Sequence, residues 1–317
     1  MDAKGIKALA DSLRGNISRV IVGKEEVVDK VLAALLAGGH VLLEDVPGTG
    51  KTLLTRALAR SLDAKFSRIQ FTPDLLPGDV TGMAVFSPKT AEFTFKPGPV
   101  FANVVLADEI NRATPRAQSS MLECMAEKQV SCDGTTYPLP QPFFVIATQN
   151  PVETQGTFPL PEAQLDRFMV KLSMGYPTVE EQARILARFK EDAPQEQLTP
   201  VADAAQLQQA QQAVRQVRVH EDLLRYIGAV CEKTRQIDDV LLGASPRAAL
   251  ALMRVCQACA AMDGRDYVTP EDVKRMAEPV LAHRMILRTA YGQRGRAAEA
   301  VQQALASVPV PTEKTDR

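Results

Sequence analysis

Val41-Leu42-Leu43-Glu44-Asp45-Val46-Pro47-Gly48-Thr49-Gly50-Lys51-Thr52-Leu53 decides how the rest of the chain is read. An apolar run of strand character enters a glycine-bearing turn, and an apolar helical stretch, Leu53–Leu62, leaves it. Strand, turn and helix in that order aim backbone N–H groups and the positive end of a helix at one point, which is how phosphate is held. Gly48 and Gly50 let the main chain approach closely, with Pro47 and Thr49 completing the loop. Lys51 reaches the β and γ phosphates of a nucleotide, and the Thr52 hydroxyl is a ligand for Mg2+. One position departs from the general pattern: Asp45 stands where the first glycine is expected. A plain strand–turn–helix corner is the competing reading, and Gly-Lys-Thr at this junction outweighs it.

Working outward, a second apolar run, Val104–Ala107, ends in Asp108-Glu109. A strand ending in two carboxylates is commonplace by itself. Beside a phosphate loop, Asp108 is placed to hold Mg2+ through water and Glu109 to polarise the attacking water. A third run, Phe143–Ala147, ends in Thr148-Gln149-Asn150-Pro151. It reads alone as a polar turn before a proline; in this order of motifs Asn150 becomes a sensor of the attacking water or the γ-phosphate.

Two arginines follow. Arg167, in Leu160–Phe168, precedes a short apolar run and has the chemistry of a finger that stabilises charge on a transferring phosphate. Its bland alternative is a surface ion pair with Asp166 or Glu162, which is worth little. Arg247 opens a helix in Gly243-Ala244-Ser245-Pro246-Arg247 and is read as reaching the nucleotide from a lid.

Strand candidates (Val41–Leu43, Phe66–Phe71, Val104–Ala107, Phe143–Ala147) alternate with helical stretches as far as Tyr176, which predicts an α/β fold with a parallel sheet. Beyond Pro177 helix starts dominate: Thr178 with Glu181 reads as a capping box, and Thr269-Pro270 with Asp272 as another start. The expected division is an α/β nucleotide-binding domain over 1–176, a smaller all-α lid over 177–308 and a flexible tail over 309–317. Asp192–Pro200 reads as a loop.

Composition narrows the classes. The 317 residues carry 37 basic and 38 acidic side chains, a formal net charge of −1, so nothing global pulls the chain toward nucleic acid or an anionic membrane. Five scattered cysteines do not make a disulfide framework. Cys256 and Cys259 have metal-like spacing but form one pair in an Ala-rich helix, where two small buried side chains are the better reading. Met1–Asn16 lacks an apolar signal core, and the longest apolar run is broken by Gly38, Gly39 and His40. A soluble cytoplasmic protein is expected.

The order of these blocks resembles an AAA+ ATPase, and specifically the MoxR family. The blocks are Ile21-Val22-Gly23, Leu43–Gly48, Ala107-Asp108-Glu109-Ile110-Asn111-Arg112, Ala147–Pro151, Leu160–Phe168 and Gly243–Arg247. The similarity runs from about Ile17 to Pro311, and Asp is familiar there at the position of Asp45. The resemblance implies a ring, usually hexameric, with ATP between subunits and Arg167 acting on the neighbour's nucleotide. It implies that Ile21 and Val22 flank the adenine. It implies a β-hairpin insert over about 72–98, and Met83–Phe86 and Glu92–Phe95 do read as a hairpin. A second hairpin, Gln129–Leu139, turns at Asp133-Gly134; both hairpins are candidate client surfaces. The implied function is chaperone-like maturation of protein complexes, with a von Willebrand factor A domain protein as partner. The alternatives are a nucleic-acid remodelling motor, disfavoured by the absence of a basic cluster in either hairpin, and a metal-chelatase-type motor subunit.

Overall fold

Phosphate loop, acidic pair and polar strand end share one edge because the strands that carry them are parallel neighbours. The first half runs α1 (Ala3–Ser18), α2 (Glu25–Leu36), β1 (Val41–Glu44), α3 (Lys51–Ser61) and β2 (Phe66–Gln70). It continues through α4 (Pro77–Thr81), a hairpin of β3 (Gly82–Ser87) and β4 (Glu92–Pro97), β5 (Val104–Asp108) and α5 (Pro115–Glu127). A second hairpin, β6 (Gln129–Cys132) and β7 (Thr135–Pro138), precedes β8 (Phe144–Gln149), α6 (Glu162–Leu165) and β9 (Val170–Leu172). The structure is a computed structural model describing residues 1–89, 91–151, 156–188, 190, 198–288 and 293–311.

Five strands form one parallel sheet in the order β2-β5-β8-β1-β9. The central strands read Val-Leu-Leu, Val-Val-Leu-Ala and Phe-Val-Ile-Ala because helices cover both faces, leaving no solvent face to make polar. All four expected strands form; β9, shortly after Arg167, is additional. In such a sheet ligands bind beyond the carboxyl ends of the strands. The carboxyl ends of β1, β5 and β8 carry the phosphate loop, Asp108-Glu109 and Gln149-Asn150. Both expected hairpins form, the second with Asp133 and Gly134 at φ 49° and 77°, the left-handed pair a tight two-residue turn demands.

The second half holds α7 (Val179–Arg188), α8 (Ala204–Val214), α9 (Glu221–Thr234), β10 (Val240–Leu242), α10 (Pro246–Met262), α11 (Pro270–Leu281), β11 (Ile286–Leu287) and α12 (Gln293–Ser307). Its small antiparallel β10–β11 pair was not expected from a strand-poor sequence. Both anticipated caps are present. Thr178 N–H donates to Glu181 at 2.8 Å while Glu181 N–H donates to the Thr178 hydroxyl, and Thr269 N–H donates to Asp272 at 2.9 Å. Residues 191–197 of the expected loop and 312–317 of the expected tail lie outside the described residues.

A continuous apolar cluster joins the halves. Leu13 and Ile17 of α1, Leu32 and Leu36 of α2 and Leu54 of α3 share it with Leu252 and Val255 of α10 and Met276 of α11. The opposite face of the sheet has its own core, built on Phe71, Val105, Met121 and Phe168. Cys256 and Cys259 are buried in α10, and burial raises both thiols, Cys259 to about 12. Among the described residues no helix is long and apolar enough to cross a membrane.

Candidate active site

The loop between β1 and α3 owes its shape to two left-handed glycines, Gly48 at φ 83° and Gly50 at φ 91°, and Gly50 caps α3. A side chain at either position would strain the backbone that presents the loop's N–H groups. Lys51, in the first helical turn, donates to the carbonyls of Asp45 at 2.9 Å and Val46 at 2.8 Å. Burial lowers its pKa, while Asp45, Asp108 and Glu109 pull it back up, so all three carboxylates lie within electrostatic range of the lysine. Thr52 is half-buried in the same turn.

Asp45, the departure from the loop pattern, is a clamp. Its buried carboxylate accepts hydrogen bonds from the Ser173 hydroxyl at 3.0 Å, from Gly175 N–H at 3.2 Å and from Met174 N–H. A charge taken out of water is tolerated only when such donors replace its hydration. Those donors belong to the segment leaving β9 for α7, so the phosphate loop is tied to the connection between the two halves.

The acidic pair is held by residues that the motif reading passed over. Arg68, on β2, donates from Nε and Nη2 to Asp108 at 3.0 and 2.6 Å, and the Thr148 hydroxyl donates to the other carboxylate oxygen at 2.6 Å. Thr148 also accepts Glu109 N–H at 2.8 Å, so one hydroxyl fixes both acidic residues. Glu109 sits at φ 56° and ψ 48°, a left-handed conformation costing a side-chain-bearing residue roughly 1–2 kcal/mol. Its carboxylate accepts from the Gln70 amide at 2.8 Å and pairs with Arg112 at 3.2 Å. Arg68 and Gln70 alternate along β2 and share one face; that two-residue spacing of polar groups was the signal available in the sequence.

Asn150 is buried and directly follows β8, at the same end of the sheet as the acidic pair. Ile21 and Val22 are buried, and Gly23 at φ 68° packs so closely on Glu181 of α7 that a Cβ would collide with its carboxylate.

The two arginines are elsewhere. Arg167 and Arg247 line one cavity of about 240 Å³ with Gly39, His40, Lys128 and Asp166. Gly39 and His40 lie before β1, whereas the phosphate loop follows it, and that strand alone spans about 13 Å. Arg247, read from the sequence as reaching the nucleotide from the lid, thus stands beside Arg167 at the opposite end of the sheet from its own phosphate loop. Asp166 joins them, with Arg247 Nε 3.5 Å from its Oδ2. His40 braces this end as a neutral ring: Val145 N–H donates to Nδ1, and Nε2 donates to the Met125 carbonyl, both at 3.1 Å. Burial lowers its pKa to about 4.

A phosphate loop, a strand-borne Asp-Glu pair and a polar strand end on a parallel sheet of order β2-β5-β8-β1-β9, followed by a helical lid, define an AAA+ ATPase. The profile of the ATPase family associated with various cellular activities (AAA) matches residues 40–170, and that of the AAA lid domain matches residues 232–304. Chaperone MoxR1 of Mycobacterium tuberculosis is 43% identical, covering 90% of this chain and 78% of that one. The Bacillus subtilis protein YeaC is 50% identical across 95% of this chain and 94% of its own. The crystal structure of a Cytophaga hutchinsonii protein assigned as an ATPase superposes with a TM-score of 0.89 at 38% identity, over 98% of this chain and 97% of that one. This chain belongs to the MoxR family of AAA+ ATPases.

Proposed function

We propose that this chain hydrolyses ATP at sites shared between subunits of a ring, hexameric by family resemblance, and uses the cycle to remodel protein complexes. The observation that carries the reading is the placement of Arg167 and Arg247 together, at the far end of the sheet from their own phosphate loop. Two guanidiniums so placed suit a neighbour's nucleotide rather than their own.

Within one shared site the roles follow from chemistry. Loop N–H groups and Lys51 hold the phosphates. Glu109 takes the proton of the attacking water, and Asn150 orients that water or the γ-phosphate. Arg167 and Arg247 from the adjacent subunit balance the charge that develops on the transferring phosphoryl group. The oxygen donors near Lys51 suit Mg2+: Thr52 and Asp108 would hold it, and when bound it neutralises phosphate charge.

Client contact is assigned to the β3–β4 hairpin. Val85, Phe86 and Phe93 are exposed there, Phe93 by 72%, and the rings of Phe86 and Phe93 pair at 5.3 Å. An exposed apolar patch on a protruding hairpin fits a protein partner. Phe95 of the same hairpin stacks on Tyr137 of β7 at 4.0 Å, so the two hairpins are mechanically linked. A partner with a von Willebrand factor A domain remains the family expectation.

The test is hydrolysis against protein concentration for the wild type, Glu109→Gln, Arg167→Ala and an equimolar mixture of the two variants. Activity that rises with concentration, is lost in each variant and partly returns in the mixture supports the shared site. Concentration-independent activity indifferent to Arg167 overturns it.

A further inference from the structure

We infer that Arg284 is the positioning residue for the Arg167–Arg247 pair, an inference that rests on the shared-site reading above. Arg284 ends the short 3-10 turn after α11, and its side chain is only 3% exposed. Its guanidinium grips both flanks of Arg167. Nε donates to Oδ1 of Asp166 at 2.7 Å, Nη2 donates to the Phe168 carbonyl at 2.6 Å, and Nη1 donates to the Met169 carbonyl at 3.2 Å and to the carbonyl of Val280. His283 adds a second bond to the Phe168 carbonyl at 3.1 Å.

Asp166 is the hinge of the arrangement. One carboxylate oxygen faces buried Arg284 and the other faces Arg247, which is 61% exposed. The residue before the finger therefore bonds one lid arginine inside the protein and orients another at its surface. Burying an arginine is costly unless every donor direction is answered, and here carbonyls and a carboxylate answer the planar fork. An ordinary domain contact would need no such concentration on the immediate neighbours of Arg167. The consequence is that finger and lid move as one body, so that a shift of the lid in one subunit is delivered as a displacement of both arginines at the next subunit's nucleotide.

The experiment uses full-length Arg284→Lys, which keeps the charge and loses the fork, and Asp166→Asn, which keeps the size and breaks the bridge. For each, a thermal melt, the affinity for a fluorescent ADP and hydrolysis alone and in mixtures are measured. The expected result is a fall in kcat of at least about tenfold, of the kind that follows loss of an arginine finger, with ADP affinity close to wild type. Mixing with Glu109→Gln restores activity, because the variant keeps its own loop and Glu109 and borrows intact arginines. Mixing with Arg167→Ala restores none, because neither partner supplies them. Wild-type rates in both variants overturn the inference. So does failure of Glu109→Gln to rescue them where it rescues Arg167→Ala, since a damaged fold cannot be repaired by a neighbour. If Arg167→Ala itself is not rescued, the shared-site reading falls, and the inference with it. Should Arg284→Lys melt early, Asp166→Asn, which leaves the carbonyl contacts of Arg284 in place, decides the matter.

Discussion

The side-chain amide of Gln70 donates a 2.8 Å hydrogen bond to Oε2 of Glu109. Gln70 is in turn held by Arg68 at 2.8 Å, and Arg68 by Asp108. The carboxylate proposed above to accept a proton from water is thereby engaged with another partner, and that engagement is set by β2, not by the strand that carries the motif. Replacing Gln70 with Ala should raise basal hydrolysis, by up to about tenfold for loss of one hydrogen bond to a charged group. Steady-state phosphate release at saturating ATP measures it; an unchanged or lower rate would show that the amide positions Glu109 productively.

Thr148 is expected to matter as much as the motif residues it joins. Thr148→Val removes the hydroxyl that donates to Asp108 and accepts from Glu109 N–H. Leaving a buried carboxylate and an N–H without that partner costs about 1–3 kcal/mol, so kcat should drop about 5–100-fold while nucleotide affinity changes less. A single-turnover assay beside a binding titration separates the two effects.

Asp45→Asn tests the clamp. The amide presents one acceptor and one donor to three donors, so at least one of Ser173, Met174 and Gly175 loses its partner. A loss of about 2–3 kcal/mol in urea unfolding is expected, as for a hydrogen-bonded buried charge, with weaker ADP binding. Full stability would mean that the carboxylate is not needed to hold the connection to α7.

His40 predicts a pH dependence. Its folded pKa is lowered to about 4 from an ordinary 6.5 by burial, so the unfolded chain binds the proton more readily. Stability is complete above pH 6.5, declines as the pH falls from 6.5 toward 4, and falls no further from this group below that. A shift of that size corresponds to about 3 kcal/mol. His283, buried beside Arg284 and lowered in the same direction, adds to the effect. Urea unfolding at pH 7 and pH 5 should show the loss, and His40→Gln should show less of it.

Sequence determined the parts that are local. Gly48-Thr49-Gly50-Lys51-Thr52 between an apolar strand and an apolar helix specifies a phosphate loop because the glycine conformations and the helix end are properties of neighbouring residues. The same holds for the caps at Thr178 and Thr269 and for the Asp133-Gly134 turn. Block order then carried the family, and with it the roles expected of Asp108, Glu109, Asn150 and Arg167. Tertiary structure alone decided the contacts between distant positions: Gln70 with Glu109, Asp45 with Ser173–Gly175, Arg284 with the flanks of Arg167. Each joins groups tens of residues apart or more, and no periodicity encodes which strand lies beside which. The location of Arg247 belongs here too. Its helix start was plain in Ser245-Pro246, but which end of the sheet that helix faces depends on how α10 packs against α1 and α2, and packing is settled by shape across the whole apolar cluster rather than by any short motif.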